Sequence, residues 1–285
     1  MAALPPHALR PSASEALAAW RALILANREQ IERLREDERR ADFYARRAVQ
    51  FRPGALESAE TAHIASLARP GDRLLDVGAG GGRFAVPLAA SFEAVAAVEP
   101  SPAMREMLAA AAAEHGVANI TVHDHVWPAP AGVAPPSGDV SLVAHVLYDI
   151  DELGAFLDAL EAQTRRTCAV IFGNRAPSTA FEPVWSALHG EPLHALPALR
   201  EFLAVLAARG RRFDVRTFDT RGDGAPLPAD EAHALARRLY WVAEGSPKDV
   251  QLGEQLRTHF AAGDGMVALP RRLGFTAVVT WTASA

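Results

Sequence analysis

The sequence is poor in cysteine and contains no long apolar run. Cys168 is the one cysteine among 285 residues, which excludes an intrachain disulfide framework and a cysteine-rich metal centre. Because it lies within an apolar run, we predict a buried, inert thiol rather than a nucleophile. No apolar run approaches the length of a membrane span, and the first residues lack the basic and apolar regions of a signal peptide. We therefore expect a cytoplasmic protein with no membrane partner and no metal site.

The chain has no long segment that carries charges of only one sign. The net charge is −5, and acidic and basic residues are interspersed. General nucleic-acid binding depends on basic clusters that neutralise phosphates, so we expect none here. Lys248 is the only lysine beside many arginines and alanines, a composition typical of GC-rich bacterial genomes. Composition does not predict the oligomeric state.

Strand-like and helix-like segments alternate over the middle of the chain. Short apolar runs, the first at Arg73–Val77, are separated by segments with apolar residues at helical spacing, among them 83–90 and 153–165. This alternation predicts a parallel sheet covered by helices on both faces. A further helix is predicted from Ser14, which we take as its N-cap. The charged face of that helix is expected to face solvent.

The most informative stretch follows the first predicted strand. Asp76 ends an apolar run, and glycines follow at positions 78, 80 and 82 before the helical pattern begins. Glycines let the backbone take positive φ and let a ligand approach the main chain. The N-terminus of the following helix favours an anionic ligand group. A plain tight turn between strand and helix is the alternative.

A second acid, Glu99, ends the next apolar run. A carboxylate at the tip of a second strand suits a ribose diol, because it can accept a hydrogen bond from each hydroxyl. The dinucleotide fingerprint G-x-G-x-x-G would need a third glycine where the chain has Arg83. The pattern is therefore an acid, three alternating glycines and a second acid.

This combination resembles the first motif and the acidic second strand of class I S-adenosylmethionine-dependent methyltransferases. The resemblance covers roughly residues 52–174 and is carried by residues 74–83 and 98–104. It implies an α/β, Rossmann-like sheet of seven mostly parallel strands with an antiparallel last strand. It also implies S-adenosyl-L-methionine as the cofactor and S-adenosyl-L-homocysteine as the product.

The resemblance also divides the chain into regions. We expect an N-terminal arm and helical cap over residues 1–56, followed by the S-adenosylmethionine-binding methyltransferase domain over 57–285. Helical insertions are expected at about 177–210 and 226–262, and the second suits a lid over the substrate. In the family the segment before the first strand often folds over the cofactor, so Tyr44 or Arg52 would line the pocket. An aromatic anchoring a helix and an arginine on the surface are the alternatives.

Family motifs assign cofactor roles to residues at three strand tips and the loops beyond them. Asp76 would hold the ammonium end of the cofactor, and Glu99 would hold the ribose. Asp124 is expected to bond the adenine amino group, with His125 or the Val126 N–H as alternatives. The full cofactor-binding set implied by the resemblance is Asp76, Gly78, Ala79, Gly80, Glu99, Pro100, Met104, Asp124, His125, Val126 and His145.

The segment after the fourth predicted strand, 145–150, is expected to lie where cofactor and substrate meet. Open α/β sheets bind ligands beyond the carboxyl ends of their strands. His145 is the candidate general base, since its pKa lies near working pH, and Tyr148 is a candidate substrate contact. The alternative for His145 is that it only holds the loop or touches the cofactor through its backbone.

The predicted reaction is in-line methyl transfer to an oxygen, nitrogen or carbon nucleophile of a small molecule. Residues 145–150 are not the Asn/Asp-Pro-Pro-aromatic sequence of adenine- and cytosine-amino methyltransferases. Two other functions remain open. An NAD(P)-dependent oxidoreductase would use a related sheet, but Arg83 and the lack of an obvious Tyr-x-x-x-Lys oppose it. A non-catalytic S-adenosylmethionine-binding module would keep the same strand tips.

Overall fold

The structure, a computed structural model, describes residues 10–36, 58–219, 226–269 and 274–283. Its strands are β1 (Arg73–Val77), β2 (Ala94–Val98), β3 (Ile120–His123), β4 (Gly138–Ala144), β5 (Thr164–Gly173), β6 (Phe213–Asp219), β7 (Leu227–Pro228), β8 (Met266–Val267) and β9 (Phe275–Thr282). The helices are α1 (Ala13–Leu34), α2 (Ala59–Ala65), α3 (Ala85–Leu88), α4 (Pro102–Glu114), α5 (Leu153–Ala162), α6 (Glu182–His189), α7 (Leu199–Ala208), α8 (Ala229–Leu239) and α9 (Pro247–Phe260). Within these ranges, every helix is too short or too polar to cross a membrane.

Seven strands form one sheet in the order β3-β2-β1-β4-β5-β9-β6. Neighbours from β3 to β5 pair in parallel, and β9 pairs antiparallel with both β5 and β6. This confirms the predicted Rossmann-like sheet with an antiparallel last strand. The order reverses between β1 and β4, so ligands are expected beyond the carboxyl ends of these strands.

Apolar side chains fill both faces of the sheet, because successive residues of a strand point to opposite faces. Leu75 and Val77 of β1 share one core cluster with Trp20 of α1 and with residues of α5 and α7. Leu74 packs on the other face with Ile64 of α2. Cys168 is fully buried in β5, and burial raises the pKa of its thiol to about 11, which confirms the predicted inert thiol.

Three predicted helix boundaries are wrong. The N-cap of α1 is Ser12, which forms a capping box with Glu15, so the first turn starts before Ser14. Helix α3 covers only 85–88, followed by a 3-10 turn at 89–91, instead of 83–90. Helix α5 ends at Ala162, because the chain enters β5 at Thr164 rather than continuing to 165.

The charged face of α1 is exposed as predicted at Arg28 and Arg33, whose side chains are 41% and 54% exposed, but both arginines also form ion pairs with distant segments. Arg28 pairs with Asp149 and Asp151, and Arg33 pairs with Glu191. All three carboxylates lie more than a hundred residues away in sequence, so the helical periodicity of α1 could not predict these ion pairs.

Residues from the two expected insertions share a core that is separate from the sheet. Trp185 and Leu188 of α6 pack there with Tyr240 and with apolar residues of α8 and α9. Ile31 and Leu34, at the end of α1, pack against the same cluster. The aromatic residue of α6 therefore serves core packing, and the role of the second insertion as a lid stays a prediction.

A buried carboxylate joins α5 to the far edge of the sheet. Glu161 is 5% exposed and accepts hydrogen bonds from the Arg211 guanidinium at 2.6 and 2.8 Å and from the Trp281 indole at 2.9 Å. Burial opposes ionisation of Glu161, but the bonds from Arg211 and Trp281 outweigh it and hold the pKa below its ordinary value.

We expect Glu161→Ala to lower the free energy of unfolding by about 3 kcal/mol, because it leaves a partly buried guanidinium and a buried indole N–H without their acceptor. Urea unfolding measures the change. Glu106→Ala, on the exposed side of α4, is the control and should change stability by less than about 0.5 kcal/mol. Equal losses in the two variants would contradict the assigned role of Glu161.

Candidate cofactor and acceptor site

The tips of β1 and β2 are joined through their main chains. The N–H groups of Gly78 and Ala79 both donate to the Val98 carbonyl, at 2.8 and 3.2 Å. The Glu99 N–H donates in turn to the His123 carbonyl at the end of β3. The turn after β1 and the acid after β2 are therefore held side by side, as their positions in the sequence predict.

Two of the glycines are required by the backbone and its surroundings. Gly78 has φ of 76°, and a Cβ there would collide with the Val146 side chain from the loop after β4. Gly80 has φ of 56°, and no described residue places a heavy atom within 4 Å of the point where its Cβ would stand. Gly80 thus opens the main chain toward a space large enough for a ligand atom to approach it.

The third glycine, Gly82, serves packing. A Cβ at this position would stand 2.9 Å from Val86 and 3.3 Å from Leu108, so the residue lets the turn approach both helices closely. The helix that follows has only four residues. A helix this short carries a weak dipole, so its N-terminus cannot supply the anion site that the sequence predicted.

The Glu99 carboxylate is buried and oriented by two backbone amides. Glu99 is 7% exposed. Its Oε2 accepts a hydrogen bond from the Gly80 N–H at 2.8 Å, and its Oε1 accepts one from the Ser101 N–H at 2.8 Å. Each carboxylate oxygen can accept more than one hydrogen bond. The amides therefore fix the orientation of the carboxylate without exhausting what it can accept from a ligand.

Asp76 is a buried acid that lacks a partner for one oxygen. The residue is 1% exposed, and Oδ2 finds no hydrogen-bond donor in the described part of the chain. Burial, with a smaller contribution from the charge of Glu99, raises the pKa of Asp76 to about 7. An orphaned buried carboxylate beside a second acid favours a cationic partner.

Pro100 and Met104 lie where the loop after β2 enters α4. Pro100 is exposed, and Met104 is 3% exposed. Ser101 caps the helix by accepting from the Met104 N–H, and Arg105 donates to the carbonyls of Glu99 and Pro100 at 3.0 and 2.7 Å. The loop that carries Glu99 is thus held from the helix side as well.

The three candidate adenine contacts after β3 differ in what they present. Asp124 and Val126 are exposed, and the ring of His125 is partly covered. His125 Nδ1 lies 2.8 Å from the Val126 carbonyl, while Nε2 is buried without a partner among the described residues. Trp127 packs on Phe156 of α5 and donates to its carbonyl at 3.3 Å, which favours a packing role for this indole.

His145 and Tyr148 come together beyond β4. His145 adopts φ of 59°, which is uncommon for a residue other than glycine, and its N–H donates to the Ile171 carbonyl of β5. Its Nδ1 lies 3.3 Å from the Tyr148 hydroxyl, and that buried hydroxyl accepts from the Gly173 N–H at 2.7 Å. Tyr148 therefore ties His145 to the tip of β5.

Of two further residues at the site, Val146 belongs to the predicted segment 145–150 without an assigned role, and Gly173 has no sequence signal. Val146 touches Gly78, and Gly173 donates to Tyr148, although neither forms part of a motif. Only the adjacency of β1, β4 and β5 brings them to the site. Tyr44 and Arg52, named above as pocket candidates, lie outside the described residues.

The fold resembles two solved structures at low sequence identity. The YcgJ protein from Bacillus subtilis superposes with a TM-score of 0.53 at 13% identity, covering 79% of this chain and 98% of that one. A candidate methyltransferase from Bacillus halodurans gives 0.53 at 14%, covering 81% and 99%. At this identity the similarity establishes the fold. No curated protein matches the sequence.

The sequence of the core region matches a family as well as a fold. Residues 75–172, about a third of the chain, match the family of the methyltransferase domain. The match runs from the middle of β1 to the end of β5 and so includes the glycine turn, Glu99 and the loop with His145 and Tyr148. Residues 75–172 of this chain therefore match the methyltransferase-domain family.

Proposed function

We propose that the tips of β1 and β2 bind S-adenosylmethionine between Asp76 and Glu99, and that the enzyme methylates a small-molecule acceptor. The observation that carries this proposal is the geometry of Glu99. Its carboxylate is oriented by the Gly80 and Ser101 amides before any ligand arrives, and it faces a turn where Gly80 leaves the main chain accessible. A ribose diol matches this carboxylate because it offers two donors side by side.

The ammonium end of the cofactor is assigned to Asp76. Its orphaned Oδ2 is buried, and a cation there would offset the cost of ionising an acid close to Glu99. Because Asp76 is 1% exposed, a bridging water suits the contact better than a direct one.

For the adenine we propose His125 in place of Asp124. If Nδ1–H donates to the Val126 carbonyl, Nε2 is left as an acceptor, and it is buried without a described partner. An adenine amino group is a donor and would satisfy it. Asp124 is exposed, and no hydrogen bond or ion pair from the described residues orients its carboxylate.

We expect His125→Leu to weaken S-adenosylhomocysteine binding about fivefold or more, because the adenine amino group loses its acceptor. Calorimetric titration measures the dissociation constant. Asp124→Asn is the matched control, since it alters the neighbouring residue by one charge and should leave the constant unchanged. The reverse ranking of the two variants would return the adenine contact to Asp124.

The acceptor is assigned to the space beyond β4 and β5. S-adenosylmethionine supplies, when bound, a methyl group on a cationic sulfur. A nucleophile attacks the methyl carbon in line, and the sulfur leaves as the neutral thioether of S-adenosylhomocysteine. The protein then has to orient the nucleophile, exclude water and receive a proton where the acceptor loses one. We assign His145, which is held beside Tyr148 at the tip of β4, as the base that receives this proton. A small acceptor agrees with a net charge of −5 and no concentrated basic run.

Calorimetric titration of the protein with S-adenosylmethionine, S-adenosylhomocysteine and NADH tests the cofactor. We expect the first two to bind and NADH not to bind. Binding of NADH with no response to either sulfur compound would contradict the proposal. Transfer of a labelled methyl group to a panel of small hydroxyl, amine and activated-carbon acceptors then tests turnover. Tight binding without any labelled product would favour a non-catalytic module.

A further inference from the structure

We propose that Arg28 and Trp20 of α1 are positioning residues that hold the loop 145–152 in place for cofactor and acceptor. The proposal rests on the proposed function in one respect, namely that His145 and Tyr148 in this loop line the site. It assigns a role in the methyltransferase site to a helix that precedes the matched domain in sequence.

Both residues bond the main chain of the loop. The Trp20 indole donates to the Ile150 carbonyl at 2.8 Å. The Arg28 Nη2 donates to the Asp149 carbonyl at 2.6 Å, and its Nε donates to the Asp149 carboxylate at 3.0 Å. A third nitrogen of the same guanidinium lies 3.2 Å from the Asp151 carboxylate. One guanidinium thus spans three oxygens of the loop, a geometry that a lysine cannot reproduce.

Backbone bonds make this contact more than an exposed ion pair. The Arg28 and Asp149 side chains are 41% and 65% exposed, and exposed pairs contribute at most about 1 kcal/mol. Carbonyls 149 and 150, however, lie at the end of the 3-10 turn 147–149, whose residues Leu147 and Tyr148 are buried. Holding these carbonyls restricts the turn itself and not merely a side chain.

The held turn reaches the cofactor site by two short routes. Val146 packs against Gly78, the first residue of the glycine turn. Tyr148 bonds the Gly173 N–H and contacts His145. A shift of the loop would therefore move the contact with the glycine turn and the orientation of His145 together.

Helix α1 is anchored along its length, as a support requires. Trp20 packs edge-on against Phe172 and Phe202, next to the sheet. Gln30 bonds the Pro192 carbonyl and accepts from the His194 N–H, both at 2.7 Å. Near the C-terminus of α1, Lys248 forms a 3.4 Å ion pair with Glu36. The helix is fixed independently of the loop that it holds.

The test compares Arg28→Met with Arg33→Met. Both variants remove ion pairs of arginines with exposed side chains on the same helix, two at Arg28 and one at Arg33, but Arg33 reaches Glu191 and not the loop. Hydrogen–deuterium exchange of amides 147–152 is expected to rise about threefold or more in Arg28→Met and to stay unchanged in Arg33→Met. The dissociation constant for S-adenosylhomocysteine is expected to rise about threefold or more in Arg28→Met alone.

Each result decides a separate part of the proposal. Unchanged exchange in Arg28→Met, or an equal rise in both variants, would overturn it. Faster exchange with unchanged S-adenosylhomocysteine binding would overturn the role in positioning. If the unaltered protein does not bind S-adenosylhomocysteine, the proposed function fails, while the exchange data still decide whether α1 holds the loop. Should Arg28→Met not fold, Asp149→Ala removes one of the three acceptors, the side-chain carboxylate, and is expected to give a smaller rise in exchange.

Discussion

Replacing Glu99 by alanine is expected to weaken S-adenosylmethionine binding by tenfold or more, about 1.4 kcal/mol. The change removes the acceptor assigned to both ribose hydroxyls. It also removes the group that the Gly80 and Ser101 amides orient, so the turn loses its preformed geometry. Calorimetric titration with S-adenosylmethionine gives the dissociation constant directly.

Glu99→Gln separates the charge of this residue from its shape. Both carboxylate oxygens of Glu99 accept a hydrogen bond from a backbone N–H. In a glutamine one of these oxygens becomes an NH2 group, which would face the Gly80 or Ser101 N–H as a second donor. We therefore expect Glu99→Gln to bind more weakly than the unaltered protein despite its equal size. Glu93→Ala, an exposed acid before β2, is the control and should bind normally. An unchanged dissociation constant in Glu99→Ala would refute the ribose assignment.

Replacing Asp76 by asparagine is expected to stabilise the ligand-free protein at pH 8 and to weaken cofactor binding about tenfold or more. Burial raises the pKa of Asp76 from an ordinary value of 3.8 to about 7. The folded protein therefore binds this proton more tightly than the unfolded chain does. The contribution of Asp76 to stability is fully present below pH 4 and is lost as the pH rises through 7.

The slope of this loss has an upper limit of about 1.4 kcal/mol per pH unit. Urea unfolding of the unaltered protein and of Asp76→Asn at pH 5, 6, 7 and 8 tests this pH dependence. The free energy of unfolding of the variant should rise relative to that of the unaltered protein as the pH rises. Binding should show the opposite trend. Affinity of the unaltered protein should fall as the pH drops below 7 and Asp76 loses its charge, whereas the variant should show no such fall. Parallel stability curves would contradict the raised pKa.

Most of the sheet could be predicted from local patterns. Strand β1 was predicted with the boundaries it has, because a short apolar run between polar residues leaves little choice of where the strand lies. Helix ends were less predictable. The short α3 and the early start of β5 depend on where the neighbouring elements leave room, and periodicity does not contain that information.

The candidate site divides in the same way. Asp76, Gly78, Gly80 and Glu99 lie within 24 consecutive residues and show their role through type and spacing. The preference for His125 over Asp124 as the adenine contact depends on the two ring nitrogens of His125, because Nε2 is buried without a described partner and Nδ1 is already bonded. The contacts of Arg28 depend on a loop more than a hundred residues away. Residue type alone suggested only a solvated arginine.

The amino-acid sequence by itself determined the order of strands and helices, the glycine turn and the two acids at the ends of β1 and β2. These features are local, since each depends on backbone preferences and polarity within a few residues. Tertiary structure decided the surroundings of the site: Val146 against Gly78, Tyr148 on Gly173, and α1 holding the loop beyond β4. Such contacts join distant segments, and their partners are chosen by packing of the whole sheet rather than by any pattern along the chain.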